Sequence, residues 1–288
     1  MAKAQRIDVG GHEAWEHDEG WSSGVVHTFD ALWLAPDDRP RKVQLLLPRE
    51  YSSGGVYPAV YMNDGQTALF PGGPGFKSWR AGEVLSELRE ARKIRPVVLV
   101  AIHPVDRDVE YTHAPWFPGR PFGGLPGYAK YVAGPLKSFV ERAYRIDPAR
   151  ERTMVLGSSH GGLAAFYTAM SAPERFGLVA AMSPSFWVGL GRNGSAMTGS
   201  LADSALLAMA RQTLENKASR PKLWIDWGER GDGGGRGAKQ MAELLEQEFG
   251  YLRGRELFVH ADPMGGHDED AWSWRLRQVL ETFLPEQR

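Results

Sequence analysis

Residues Thr153 to Phe166, TMVLGSSHGGLAAF, pass from an apolar strand-forming run through a glycine-rich corner directly into good helix formers. Inside that corner Gly157, Ser159 and Gly161 spell G-x-S-x-G. A serine on such a strand-to-helix turn is held in a strained conformation with its hydroxyl presented outward, and glycine two positions to either side leaves room for neighbouring backbone. Ser159 is therefore the candidate nucleophile. The bland alternative is a Gly/Ser-rich loop that only joins a strand to a helix. The rest of the chain must supply the partners that decide between them.

At 288 residues the chain suits one large α/β domain, with 1–24 as an N-terminal extension. Charges nearly cancel, at 34 Lys+Arg against 35 Asp+Glu, and there is no long basic block. That argues against nucleic acid or an anionic membrane as the partner. The absence of cysteine removes disulfides, thiolate metal sites and cysteine nucleophiles together, and fits a reducing compartment. The first ten residues, MAKAQRIDVG, lack the apolar stretch of a signal peptide, and no uninterrupted apolar run could cross a bilayer. A soluble, cytoplasmic protein is expected, of open oligomeric state.

Strand-like and helix-like runs alternate along the chain. Val25 to Leu34 and Lys42 to Leu47 flank Pro36 to Pro40 and predict an antiparallel hairpin, the second run alternating Val43, Leu45 and Leu47 with Lys42, Gln44 and Leu46. Tyr57 to Met62 predicts a strand ending in the turn Asn63-Asp64-Gly65-Gln66, and Trp79 to Ala91 has helical spacing. Val97 to Ile102 is continuously apolar, the pattern of a parallel strand covered on both faces. His103 to Gly127 is polar, aromatic and rich in Pro and Gly, too long for a plain connection. Tyr128 to Tyr144 reads as a helix before the serine corner. After it come strands at Phe176 to Met182, Pro221 to Trp227 and Glu256 to His260, helices at Ala205 to Asn216 and Ala238 to Phe249, and a variable stretch from Gly189 to Ser204. Asp268 is placed as the N-cap of a terminal helix beginning near Glu269. The alternation predicts a mainly parallel central sheet with an antiparallel N-terminal hairpin and helices on both faces.

In an open α/β sheet, ligands bind beyond the carboxyl ends of the strands. Ser159, the loop carrying Glu229 and Asp232, and His267 all fall there, in the order nucleophile, acid, histidine. His267 is expected to take the Ser159 proton, with a carboxylate fixing its tautomer. Asp232, a full turn past its strand, is favoured over Glu229 as that acid. Asp226, alternating with apolar neighbours inside the strand, reads as a structural or supporting group. The His160 N–H is the expected first oxyanion donor, and Gly65 or Gln66 the second. His103 either contacts substrate or is a hydrogen-bonded structural histidine. The loops 103–127 and 189–204 are expected to cover the active site and shape its pockets, and Trp116, Phe117, Phe122, Phe186 and Trp187 are expected wall residues. His260, Asp262, His267, Asp268, Glu269 and Asp270 crowd together but match no H-E-x-x-H spacing, and capping with the helix dipole accounts for Asp268 to Asp270. No metal is expected.

Several stretches together resemble the putative-esterase family of α/β-hydrolases, which includes enterochelin esterases, feruloyl esterases and S-formylglutathione hydrolase. They are Tyr61-Met62-Asn63-Asp64-Gly65-Gln66, Arg107 with Glu110-Tyr111-Thr112, Gly157 to Gly162, Ser183-Pro184-Ser185-Phe186-Trp187, and Gly266-His267. The resemblance covers roughly Lys42 to Phe283. It implies the α/β-hydrolase fold and serine-dependent hydrolysis of a small-molecule ester with no cofactor. Two positions depart from the family pattern: His160 stands where Met is usual, and Gly231 stands where the acid is often found, with Asp232 following it. The alternatives to an esterase are an acyltransferase on the same triad and a catalytically silent hydrolase fold used as a binding module.

Overall fold

In a computed structural model, which describes residues 4–36, 38–73, 75–193 and 196–286, the first 24 residues are more than an extension. Gly10 and Gly11 take φ of 60° and 83°, which side chains resist, and so close a two-residue turn between β1 (Gln5–Val9) and β2 (His12–His17). β2 pairs antiparallel with β3 (Val25–Leu32), and β3 with β4 (Arg41–Leu47), giving the expected hairpin. Next come β5 (Ala59–Asn63), the single turn α1 (Gly65–Ala68), α2 (Ala81–Glu90) and β6 (Val98–Ile102). Every residue of β6 is buried, as its unbroken apolar run requires. It is not a purely parallel strand, however: β6 runs antiparallel to β4 and parallel to β5, so the sheet changes sense on it.

Beyond β6 lie α3 (Arg107–Glu110), α4 (Leu125–Tyr131) and α5 (Lys137–Ala143). The single helix expected from Tyr128 to Tyr144 is divided because Pro135 has no N–H to give; the chain passes it in a wider turn over Val132–Leu136. The remaining elements are β7 (Thr153–Ser158), α6 (His160–Ser171), β8 (Leu178–Met182), the short pair β9 (Arg192–Asn193) and β10 (Ala196–Met197), α7 (Ala205–Glu215), β11 (Lys222–Gly228), α8 (Gly235–Gln247), β12 (Leu257–Asp262) and α9 (Glu269–Phe283). α8 starts three residues before its apolar pattern does, through a glycine run that weakens the helix signal.

The chain divides into two compact units. One holds the described residues of Met1–Val105, Gly134–Met154 and Asp268–Arg288. Its strands lie in the order β1-β2-β3-β4-β6-β5. Phe139 of α5 packs edge-on to Phe29 at 5.6 Å, and Trp79 stacks on Trp272 of α9 at 5.6 Å.

The other unit holds Asp106–Ala133 and Val155–His267. Here β7, β8, β11 and β12 follow one another, with β11 parallel to both of its neighbours. α6 packs on β8 and buries ten of its twelve residues, so its apolar face has no polar opposite. Leu163, Phe166 and Met170 each gain about 1.5–3 kcal/mol on burial, enough to fix the helix and with it the serine at its start.

Asp268 caps α9 as its position suggests: its carboxylate accepts the Ala271 N–H at 3.0 Å and lies 2.9 Å from Lys77 Nζ. Asp268→Ala should lower the unfolding free energy by about 1 kcal/mol, read as a lower urea midpoint at unchanged slope.

Candidate active site

β7 ends at Ser158 and α6 begins at His160, leaving Ser159 as the corner between them. The corner is strained, with Ser159 at φ 57° and ψ −124°. The Ser159 N–H donates to Met182 O at 2.9 Å, and Ser159 O accepts from the Ser185 N–H at 3.0 Å. A Cβ on Gly162 would stand 3.0 Å from Met182 O and 3.1 Å from Gly157 O, so a glycine lets the first turn of α6 lie close against β8.

Ser159 Oγ lies 3.1 Å from His267 Nε2, and His267 Nδ1 lies 2.8 Å from Asp232 Oδ1. The loop after β11 thus brings Asp232, not Glu229, to the imidazole; Glu229 is exposed, and its backbone N–H donates to Asp262 O. Asp232 has three further donors. Gly234 N–H reaches Oδ1 at 2.9 Å, Gly228 N–H reaches Oδ2 at 2.7 Å, and the Ser183 hydroxyl donates to Oδ2. Burial pushes this carboxyl up, but the hydrogen bonds from His267, Gly228, Ser183 and Gly234 outweigh it and hold the pKa at about 2. The group is a fixed anion over the whole neutral range.

The support extends one layer further. Asp226, fully buried in β11, accepts from Trp224 Nε1 at 2.8 Å and from the Ser183 N–H at 3.1 Å. Ser183 is itself held at φ 41°. Ser183 and Ser185 stand just past β8, the position where an open α/β sheet carries its ligand-facing groups. Their placement and the resemblance of the stretch Ser183 to Trp187 were their sequence signals, and nothing in the letters Ser183-Pro184-Ser185 tells which hydroxyl turns inward.

The His160 side chain is buried. Its Nδ1 lies 2.9 Å from Ser185 Oγ, and its ring meets Trp116 edge-on at 4.6 Å and Trp187 at 5.7 Å. Trp116 therefore covers His160, and Phe117 beside it is 56% exposed. Phe186 is not a pocket wall: it is fully buried, edge-on to Phe166 at 5.2 Å, because the chain after Ser185 turns into the core. Phe122 is exposed.

A cavity of about 590 Å³ opens over Ser159 and His267. Ser185, Trp187, Leu190, Arg236 and Gln240 line it, along with the backbone of several glycines. Leu190, Arg236 and Gln240 were not anticipated, Arg236 because the glycine run around it hides the start of α8. Within the loop 189–204, Gly194 and Ser195 lie outside the described residues.

Gly65, Gln66 and His103 belong to the first unit. Gly65 opens α1 after Asp64, which takes φ 59°, and a Cβ on Gly65 would fall 2.5 Å from His103 Cδ2 and 2.8 Å from Ile102 C. His103 is hydrogen-bonded as a structural histidine would be: Nε2 lies 3.1 Å from Gln44 Oε1, and burial together with the charge of Lys42 lowers its pKa to about 4, leaving it neutral. Among the described residues no group of three or more His, Asp or Glu side chains could hold a metal ion, and no helix is long and apolar enough to cross a membrane.

Comparison with known proteins gives the chain its relatives. Residues 36–283 match the model of the family described as "Putative esterase". The chain is 28% identical over 155 residues to the uncharacterized protein YbbA of Bacillus subtilis (strain 168), covering 51% of this chain and 58% of that one. It is 33% identical over 107 residues to the iron(III) enterobactin esterase of Escherichia coli (strain K12), covering 36% of this chain and 24% of the relative. The matched region is thus under two thirds of the length of either relative. Among solved structures, the BES protein from Bacillus cereus superposes with a TM-score of 0.66 at 17% identity, over 99% of this chain and 98% of that one. The fold is the α/β-hydrolase fold.

The loops carrying Asp232 and His267 meet at Gly228, where a Cβ would fall 2.2 Å from Gly265 O and 2.9 Å from Gly266 O. Gly228→Ala must push these backbones apart and shift His267. We expect the unfolding free energy to fall by about 1–3 kcal/mol, read as a lower urea midpoint. The far-ultraviolet circular dichroism should be retained.

Proposed function

Because the chain belongs to the putative esterase family, we propose that it hydrolyses small-molecule carboxylic esters through an acyl-enzyme on Ser159. The observation that carries this reading is the unbroken run Ser159 Oγ to His267 Nε2 at 3.1 Å and His267 Nδ1 to Asp232 Oδ1 at 2.8 Å, at the mouth of a cavity. Such spacing lies within reach of proton transfer.

The steps follow from those contacts. Ser159 Oγ attacks the ester carbonyl carbon while His267 Nε2 takes the hydroxyl proton. The carbonyl π electrons move onto oxygen, and the His160 N–H, first in α6, donates to that oxyanion. Collapse of the tetrahedral adduct breaks the bond to the alcohol oxygen, which leaves with the proton from His267 Nε2. Water then attacks the acyl carbon, giving its proton to the same nitrogen, and a second collapse frees the carboxylic acid and restores Ser159. Asp232 remains ionised throughout. Its carboxylate keeps the proton on His267 Nδ1, so that Nε2 is the basic nitrogen, and it stabilises the imidazolium formed in each half-reaction. The Ser183 hydroxyl and two backbone N–H groups keep Asp232 from turning away.

Ser159→Ala should lower kcat on a short para-nitrophenyl ester by at least about a thousandfold and abolish labelling by a fluorophosphonate, with the thermal transition unchanged. Labelling or turnover equal to the parent protein would remove Ser159 from the mechanism, and a parent protein that is neither labelled nor active on esters would leave the silent binding fold. For the acid, Asp232→Asn should cost on the order of 10⁴ in kcat and Glu229→Gln less than about threefold, measured on the same ester. The reverse order would transfer the role to Glu229.

A further inference from the structure

The charge balance of the cavity over Ser159 is lopsided. Its carboxylate neighbour Asp232 is fully engaged by His267, Gly228, Gly234 and Ser183 and has no capacity to spare for a cation. Arg236, by contrast, lines the cavity from the second position of α8 with no hydrogen-bond or ion-pair partner among the described residues. Gln240 stands one turn further along the same helix face and also lines the cavity. The nearest acid on that face, Glu243, lines a separate depression together with Gln240. Glu229 is exposed on the acid loop and is not part of the cavity lining. Among the described residues that line the cavity, Arg236 is therefore the one cation left without a counter-charge.

The remaining walls fix the rest of the occupant. Trp187 and Leu190 offer an apolar surface, and a space of about 590 Å³ suits a molecule of drug size. A single guanidinium fork matches one planar carboxylate, whereas phosphate recognition ordinarily gathers several cations. Resting on the esterase reading above, we propose that the favoured substrates are esters bearing a carboxylate away from the scissile bond. Arg236 pairs with that carboxylate, Gln240 donates to it, and the apolar portion lies on Trp187. Arg236 is then a specificity-determining residue: it touches substrate but takes no part in bond making or breaking.

The test is a ratio, which does not depend on how much of a variant is active. In the first arm the charge is on the acyl side: the mono-para-nitrophenyl ester of suberic acid is compared with its terminal amide, both chains being too long to attack their own ester. In the second arm the charge is on the alcohol side: para-butyryloxybenzoate is compared with para-butyryloxybenzamide. The parent protein should favour the anion by about tenfold in kcat/KM in one of the two arms, with the preference shrinking in high salt. Arg236→Gln should bring that ratio to about one, and Arg236→Glu should invert it. A parent ratio near one in both arms, or a preference that survives Arg236→Gln, overturns the proposal while leaving the esterase reading intact. If no ester is turned over and a fluorophosphonate leaves Ser159 unlabelled, the esterase reading itself fails and the proposal falls with it.

Discussion

A serine held at φ 57° costs its chain on the order of 1–3 kcal/mol, and nothing in the serine itself repays that cost. At Ser159 the surroundings do so. Its N–H and C=O are tied to Met182 and Ser185, and the helix that follows buries ten of twelve residues. Because α6 is buried nearly all round, it is held in the core against β8. The position of the hydroxyl is thus a by-product of core packing, and the glycine at 162 lets the backbones approach closely enough for it.

The electrostatics are built the same way, from the core outward. Trp224 and Ser183 satisfy Asp226; Ser183 and two amides satisfy Asp232; Asp232 orients His267; His267 meets Ser159. A buried carboxylate with every acceptor position answered is stable as an anion, whereas one missing donor would expose the full cost of its desolvation. The network therefore works as a unit, and the hydroxyl of Ser183 matters to the imidazole through Asp232.

Much of this was legible in the residues alone. Buried strands such as β6 and β8 announce themselves as unbroken apolar runs, and the G-x-S-x-G corner with a histidine before the last helix marks two of the three groups now in line. β1 and β2 were passed over because they are short and carry few apolar residues, although Ile7 and Val9 alternate with Arg6 and Asp8. The interruption at Pro135 was overlooked because amphipathic spacing persists on both sides of it. Asp232 and Glu229 could be ranked but not separated, since the choice depends on where the loop turns, and that is set by Gly228 meeting Gly265 and Gly266 at a distance no local pattern encodes. Phe186 misled for a general reason: an aromatic after a strand fits a pocket wall and a core plug equally well.

The glycines around the cavity differ in what they could become. A Cβ on Gly234 would strike Ser183 O at 2.7 Å, and one on Gly199 would strike Leu190 O at 2.4 Å, so those two are fixed by the fold. Gly233 also lines the cavity, yet a Cβ there would meet nothing within 4 Å, and its φ lies outside the range that side chains avoid. Such a position is open to evolutionary drift: a methyl, a hydroxyl or a ring could appear there, reshaping the chamber above the serine while the scaffold beneath it stays as it is.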